Sequence, residues 1–301
     1  MFLEPQPLTT DNAIGNGRVA IAFEYDGRDF HGWQFQKSGV RSVEGELAKA
    51  VAKVANHPVD LVCAGRTDAG VHASHQIVHF ETSSIRNRRS WVMGINTALP
   101  SDIAVHWAGN GAADFHARFS ATYRRYRYVI YNHAVRPGIL RGQVSWNFRP
   151  LDEHKMHQAA QALVGEHDFS AFRAAGCQSR SPIRFLERIS VSRKAEFVVI
   201  DVQANAFLHH MVRNIAGALM AVGTGEQSAN WIADVLATRD RKKAGVTGPA
   251  QGLYLVDVGY PAECGIPEAD CGPAFLRPWF TPEENRPIEP THIHRKQRQD
   301  V

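Results

Sequence analysis

The stretch AGRTDAGVHASHQIVHF, Ala64 to Phe80, places one carboxylate, Asp68, in a turn made of Gly65, Arg66, Thr67, Ala69 and Gly70. A turn of this kind needs a short polar side chain and a residue without Cβ, so turn-making alone accounts for an Asp here. Chemistry is the other use. A single carboxylate suits a reaction in which a glycosidic bond is loosened and re-formed without net hydrolysis, where no second acid has to protonate a departing alcohol. A hydrolytic glycosidase needs two carboxylates flanking its bond, whereas this motif offers one, with Glu81 well down the following strand.

Other chemistries find less support. His72, His75 and His79 fall on an expected strand, whose side chains alternate faces, so His72 points away from the other two and three ligands do not converge. His209 and His210 are adjacent on an expected helix and diverge in the same way; all five read as satisfied surface or groove histidines, with no metal site. GNGRVA near Gly15 and GTGE near Gly223 lack both the dinucleotide fingerprint and the phosphate-loop lysine. The Asp68 turn holds no Ser, and Cys63 sits in an apolar strand, so no nucleophilic triad is expected.

Cations surround the candidate instead. From Phe115 to Leu151 there is no Asp or Glu, yet the segment carries Arg118, Arg124, Arg125, Arg127, Arg136, Arg141 and Arg149. Arginines interleaved with aromatics, as in YRRYRYVIY, suit a polynucleotide, because guanidinium pairs with phosphate and stacks on bases. A solvated strand face paired with acids elsewhere in the fold explains the same run equally well. Arg239, Arg241, Lys242 and Lys243 read as the end of a helix.

The elements that must position these residues follow from periodicity. RVAIAFEYDG alternates as a half-buried strand ending in an Asp-Gly turn, and SVEGELAKAVAKVAN is a helix capped by Ser42 with Val43, Leu47, Val51 and Val54 on one face. VDLVCAG leads into the Asp68 turn as a strand and VHASHQIVHFET leads away as another; SWVMGINTAL is a helix and IAVHWAG a strand. After a seam near Asp114 the grammar repeats. YRRYRYVIYN is a strand; DEHKMHQAAQALVG is a helix with Asp152 as N-cap and Gly165 as its stop. RISVSR and EFVVIDVQA form a hairpin, FLHHMVRNIAGALMAVG and SANWIADVLAT are helices, and GLYLVDVGY is the last strand. Elements ordered in this way favour α+β halves with antiparallel sheets.

Composition fits a soluble globular protein: 301 residues, 44% apolar, 21% charged and a net charge of +4, too small by itself to prove a nucleic-acid partner. Four scattered cysteines suggest neither a disulfide framework nor a zinc clip. No stretch approaches the ~20 apolar residues of a membrane span, and a cytoplasmic location is expected.

Six segments carry a resemblance: EYDGRDFHGWQ (Glu24 to Gln34), AGRTDAGVHA (Ala64 to Ala73), FHARFSATYRRYRY (Phe115 to Tyr128), HDFSAF (His167 to Phe172), NAFLHHMVRNIAG (Asn205 to Gly217) and GLYLVDVGYP (Gly252 to Pro261). In order and over about Val19 to Pro261, the chain resembles the TruA family of tRNA pseudouridine synthases.

The resemblance implies conversion of uridine to pseudouridine at positions 38, 39 and 40 of the tRNA anticodon stem-loop, with no cofactor, metal or small-molecule cosubstrate. Carried onto this chain, the essential aspartate is Asp68, acting on the ribose as nucleophile or as the base that permits a glycal intermediate. Tyr126 would stack on the uracil and help the final proton removal from carbon, Arg213 would be the basic partner, and Leu253 a small apolar contact to the base. A guanidinium beside a carboxylate favours its charged form. Arg66 would fill the gap left by the flipped nucleotide. The tRNA contacts would be Arg86, Phe115, His116, Arg118, Phe119, Gln178, Ser179 and Arg180, chiefly to phosphate and sugar.

The family further implies a homodimer with tRNA lying across both subunits. Its fold would be two mixed α/β halves, of the RRM-like or ferredoxin-like kind, joined in an extended, mainly antiparallel sheet with the active cleft between them. The domains expected are a flexible N-terminus 1–17, an α+β domain 18–114 carrying the catalytic Asp, a second α+β domain 115–265 and an extension 266–301, mobile from about 283. An RNA-binding protein that lost the chemistry, and a small-molecule glycosidic enzyme, are the readings from other classes. Intact Asp68, Tyr126 and Arg213 argue against the first, and the single carboxylate with the arginine-rich segment against the second.

Overall fold

The computed structural model describes residues 13–290. The first half runs β1 (Ala13–Tyr25), α1 (Val43–Ala55), β2 (Val62–Cys63), β3 (His72–Asn87), α2 (Arg88–Ala98) and β4 (Ile103–Asn110). The second runs β5 (Tyr123–Asn132), β6 (Ser145–Asn147), α3 (Glu153–Ala160), β7 (Gly165–Asp168), β8 (Ile183–Lys194), β9 (Phe197–Ala204), α4 (Met211–Gly223), α5 (Trp231–Thr238), β10 (Leu253–Gly259) and α6 (Pro282–Asn285).

All ten strands join one sheet in the order β4-β1-β3-β10-β5-β9-β8-β7, with β2 on β3 and β6 on β5. Most pairs are antiparallel, as expected; β10 lies parallel to β3, and β6 parallel to β5. The last strand therefore closes the sheet at its centre, joined to β3 of the first half on one side and to β5 on the other.

Alternation along β5 sorts its side chains between two layers. Tyr126, Tyr128 and Ile130 join the main core beneath the helices, whereas Val129 joins a smaller core with Val199, Val256 and Leu276. Helix α1 buries Leu47 and Val51 of the face read from its periodicity, and α4 buries Ile215 and Val222. Ser42 caps α1 by accepting from Gly45 N–H, and Asp152 caps α3 by accepting from Lys155 N–H.

Several elements depart from expectation. Residues 13–17 are strand, not a flexible arm: Ile14 is buried, and β1 follows β3 through a bulge at Gly15–Gly17; residues 1–12 lie outside the described part. The strand expected over VDLVCAG shrinks to Val62–Cys63, because the Ala64 and Gly65 carbonyls are taken by the side chains of Arg124 and Gln76. Helix α3 stops at Ala160 and tightens into a 3-10 turn, so Gly165 opens β7 instead of ending the helix. Helix α4 begins at Met211, four residues later than expected at Phe207.

The extension is also placed further than expected. Residues 283–290 lie among the described ones, and Asn285 and Glu284 carbonyls accept from the buried Arg125 side chain; the remaining part, 291–301, lies outside. A close contact between backbones fixes α4. A Cβ on Gly217 would stand 1.8 Å from the Val246 carbonyl oxygen, so only glycine lets the helix meet that loop. Gly217→Ala is expected to destabilise the fold by about 1–3 kcal/mol through overpacking, measured as a lowered urea midpoint at unchanged m-value.

Candidate active site

The Asp68 turn sits between β2 and β3, and backbone contacts from the first resembling segment hold it. Trp33 N–H donates to the Thr67 carbonyl at 3.0 Å, Gly70 N–H to the Phe30 carbonyl at 3.3 Å, and Val71 N–H to the Asp68 carbonyl at 3.1 Å. Gly32, at φ +89°, comes so close that a Cβ there would lie 2.8 Å from the Thr67 carbonyl oxygen. Tyr25 Oη and Thr67 Oγ1 share a buried hydrogen bond of 2.7 Å, and Gln76 Nε2 donates to the Gly65 carbonyl at 2.7 Å. Glu24 to Gln34, read from sequence only as a match, thus serves as the clamp of the turn.

The Asp68 carboxylate faces the second half. Arg213 NH1 stands 3.5 Å from Oδ2, and Arg213 is itself held by Nε donating to the Gly248 carbonyl at 2.9 Å. His209 Nε2 lies 3.4 Å from Oδ1 and His210 Nε2 3.4 Å from Oδ2. The expectation that these two histidines sit on a helix and diverge is overturned. They precede α4, and His210 takes the left-handed conformation at φ 59°, which turns both rings to the same side, with centroids 4.0 Å apart. A non-glycine residue rarely adopts this conformation, and such strain persists where surrounding structure imposes it. Burial pushes the His210 imidazole below its ordinary value; the Asp68 charge opposes this, and His209, Arg213 and Arg241 add to it.

Tyr126 and Leu253 line the same groove, both nearly buried. Tyr126 packs edge-on against Phe207, at 5.0 Å between centroids. Burial first, and then the Asp68 charge, push its phenol well above the usual range, so it stays protonated. The groove, about 3530 Å³, runs from Asp68 past Tyr260 to the C-terminal segment near Pro290. Small-ligand pockets are about 300–1,000 Å³; this one suits a macromolecule.

The expected RNA contacts divide. Arg66, Arg118, Phe119, Gln178, Ser179 and Arg180 line the groove, and Arg66 NH1 donates to Gln178 Oε1 at 3.1 Å, bridging the two halves across it. Among the described residues Arg66, Arg118 and Arg180 enter no salt bridge, leaving three cations at the rim. His116 stacks under exposed Phe119 at 4.2 Å. Arg86 lies near the far end of β3, where it pairs with Ile14 of β1 and does not line the groove. Phe115 is 1% exposed, packed on Tyr260, and has no surface to offer RNA.

The arginine run reads differently from its polynucleotide expectation. Arg124 spends its guanidinium on the carbonyls of Ala64, Arg118 and Asn205, and Arg125 and Arg127 point to the opposite face, where both pair with Asp201. One acid from elsewhere in the fold, Asp201, does partner two of these residues, and the cations left for a ligand come from loops.

The family model described as tRNA pseudouridine synthase matches residues 21–120 and 159–261. The chain is 57% identical over 259 residues to tRNA pseudouridine synthase A of Vibrio campbellii, covering 86% of this chain and 98% of that protein. It is 54% identical to the proteins of the same name from Coxiella burnetii and Shewanella amazonensis, covering 86% of this chain and 99% of each. With its carboxylate turn, its groove and this likeness over most of its length, the chain belongs to the tRNA pseudouridine synthase family.

Proposed function

We propose that this protein isomerises uridine to pseudouridine in tRNA at positions 38, 39 and 40 of the anticodon stem-loop, with Asp68 as its catalytic carboxylate. The reaction breaks the N1–C1′ bond, rotates the uracil and joins C5 to C1′; the C5 hydrogen leaves as a proton and N1 regains one. Asp68 acts on the ribose, by adding to C1′ or by taking the C2′ proton on a glycal route. The observation that carries the reading is the Asp68 carboxylate, 3.5 Å from Arg213, in a groove too large for a small substrate and rimmed by Arg66, Arg118 and Arg180.

The remaining roles follow from position. Tyr126 and Leu253 offer an aromatic and an aliphatic surface for the flipped uracil. Tyr126 stacks on the uracil and helps the final removal of the proton from C5. Arg66 stands two residues before Asp68 on the same turn, where it can fill the place of the flipped nucleotide, a step that costs about a few kcal/mol. Arg118, Phe119, Gln178, Ser179 and Arg180 contact the backbone, with His116 behind Phe119; Arg86 would meet a more distant part of the RNA. The homodimer is a family expectation, read by sedimentation of the purified chain. Among the described residues no helix is long and apolar enough to cross a membrane, and a cytoplasmic place of work is part of the proposal.

Tritium release from anticodon stem-loops labelled at C5 of uridine tests the reading. Release is expected from RNAs with a single labelled uridine at 38, 39 or 40, and none from one labelled only in the loop at 33. Release confined to uridines outside those three positions would overturn the site assignment.

A further inference from the structure

Asp68 meets its neighbours at longer range than Asp201 meets its two buried arginines. Charge-assisted N–H···O bonds run at about 2.7–2.9 Å, and Asp201 is held by Arg125 and Arg127 at 2.7 and 2.8 Å. Both histidine nitrogens stand 3.4 Å from the Asp68 carboxylate, one at each oxygen. Each is a separation that two ligands of one ion would also show. With metal bonds of about 2.0–2.1 Å, neighbouring donors at the tetrahedral angle lie about 3.3–3.4 Å apart. One ligand atom from each of Asp68, His209 and His210 falls within 4.8 Å of the others.

We propose that Asp68, His209 and His210 bind a zinc-class dication in the groove, and that the bound ion inhibits the enzyme by occupying the catalytic carboxylate. Two imidazoles and one carboxylate favour zinc over magnesium, which demands oxygen ligands. Three protein ligands with a fourth position open to the groove resemble an open zinc site, not a closed structural one. Arg213 opposes binding, since its guanidinium faces the same Oδ2 and its Nε is tied to Gly248. The ion is therefore an exchangeable inhibitor that a chelator removes without unfolding the chain. Inhibition rests on Asp68 being the catalytic group; binding does not.

Calorimetric titration of the full RNA-free chain with zinc chloride, and separately with magnesium chloride, tests this. Saturable one-to-one zinc binding is expected, with no magnesium binding over the same range. Affinity should fall at least tenfold in His209→Ala, in His210→Ala and in Asp68→Asn. It should be unchanged in the His292→Ala, His294→Ala double variant, which removes the histidines near the chain's end. In the wild type, saturating stem-loop RNA should weaken zinc binding, an arm that needs no variant to fold. Absence of saturable zinc binding, or binding equal in the wild type and the three site variants, would overturn the proposal. If Asp68→Asn loses zinc yet stays active, the catalytic assignment fails and the metal site stands; if activity needs Asp68 but the wild type takes no zinc, the metal site alone fails.

Discussion

Asp68→Asn is expected to leave a folded protein that binds tRNA and forms pseudouridine at a rate lowered by about four orders of magnitude or more, the scale seen when a nucleophile is removed. The substitution keeps the side chain's shape and deletes its charge. It spares the fold because the turn is held through backbone, by Trp33 on the Thr67 carbonyl and Val71 on the Asp68 carbonyl. The carboxylate's own neighbours, His209, His210 and Arg213, stand at 3.4 to 3.5 Å, beyond ordinary hydrogen bonding. Stability should therefore move by no more than about 0.5 kcal/mol. RNA affinity should persist, because the rim cations Arg66, Arg118 and Arg180 are untouched. The check pairs tritium release with a filter-binding titration and a thermal melt. Near-normal release by Asp68→Asn would remove the carboxylate from the chemistry, whereas lost binding with a normal melt would move it to substrate recognition.

Part of this site was legible in the sequence, and part was hidden by backbone conformation. The Asp68 turn announced itself through its glycines, and hairpin β8-β9 and the faces of α1 and α4 through their periods. His209 and His210 were misplaced because side-chain pattern carries no sign of a left-handed residue: LHHMVRN reads as continuous helix until φ at His210 turns positive. YRRYRYVIY misled for another reason. A period of two assigns Arg125 and Arg127 to one face but leaves open what covers it, and their acid, Asp201, comes from β9, far along the chain. The covering segment was harder still, since residues 266 to 290 are made of prolines, short turns and isolated aromatics, with no repeat to read. The family model stops at 261, so the resemblance was silent there as well.

That covered face carries the largest expected effect on stability. Arg125 and Arg127 are both 0% exposed, and one carboxylate serves them: Arg125 donates to Oδ1 and Oδ2 of Asp201 at 2.7 Å each, and Arg127 Nε to Oδ2 at 2.8 Å. Their remaining N–H groups hold the extension, through the carbonyls of Cys271, Glu284 and Asn285, and Phe280 lies flat against Arg127 at 3.9 Å. Asp201→Ala strips the carboxylate and leaves two guanidinium charges in a dry layer, which costs about 3–5 kcal/mol where one partner of a buried pair is lost. Replacing all three residues by apolar ones does not restore stability here, because the three carbonyls would lose their donors. Urea denaturation of Asp201→Ala should show the loss as a lowered midpoint, and proteolysis should cut the extension before the sheet. The pH dependence has a definite sign. Burial alone would raise the Asp201 carboxyl, but the bonds and charges of Arg125, Arg127 and Arg188 outweigh it and hold it below its ordinary value. A depressed folded value contributes stability that is fully present above the unfolded value of about 4 and is lost as pH falls towards the folded one. Wild type should therefore lose part of its advantage over Asp201→Ala on acidification below about pH 4, and a difference between the two that stays constant to lower pH would show that the arginines do not depend on this charge.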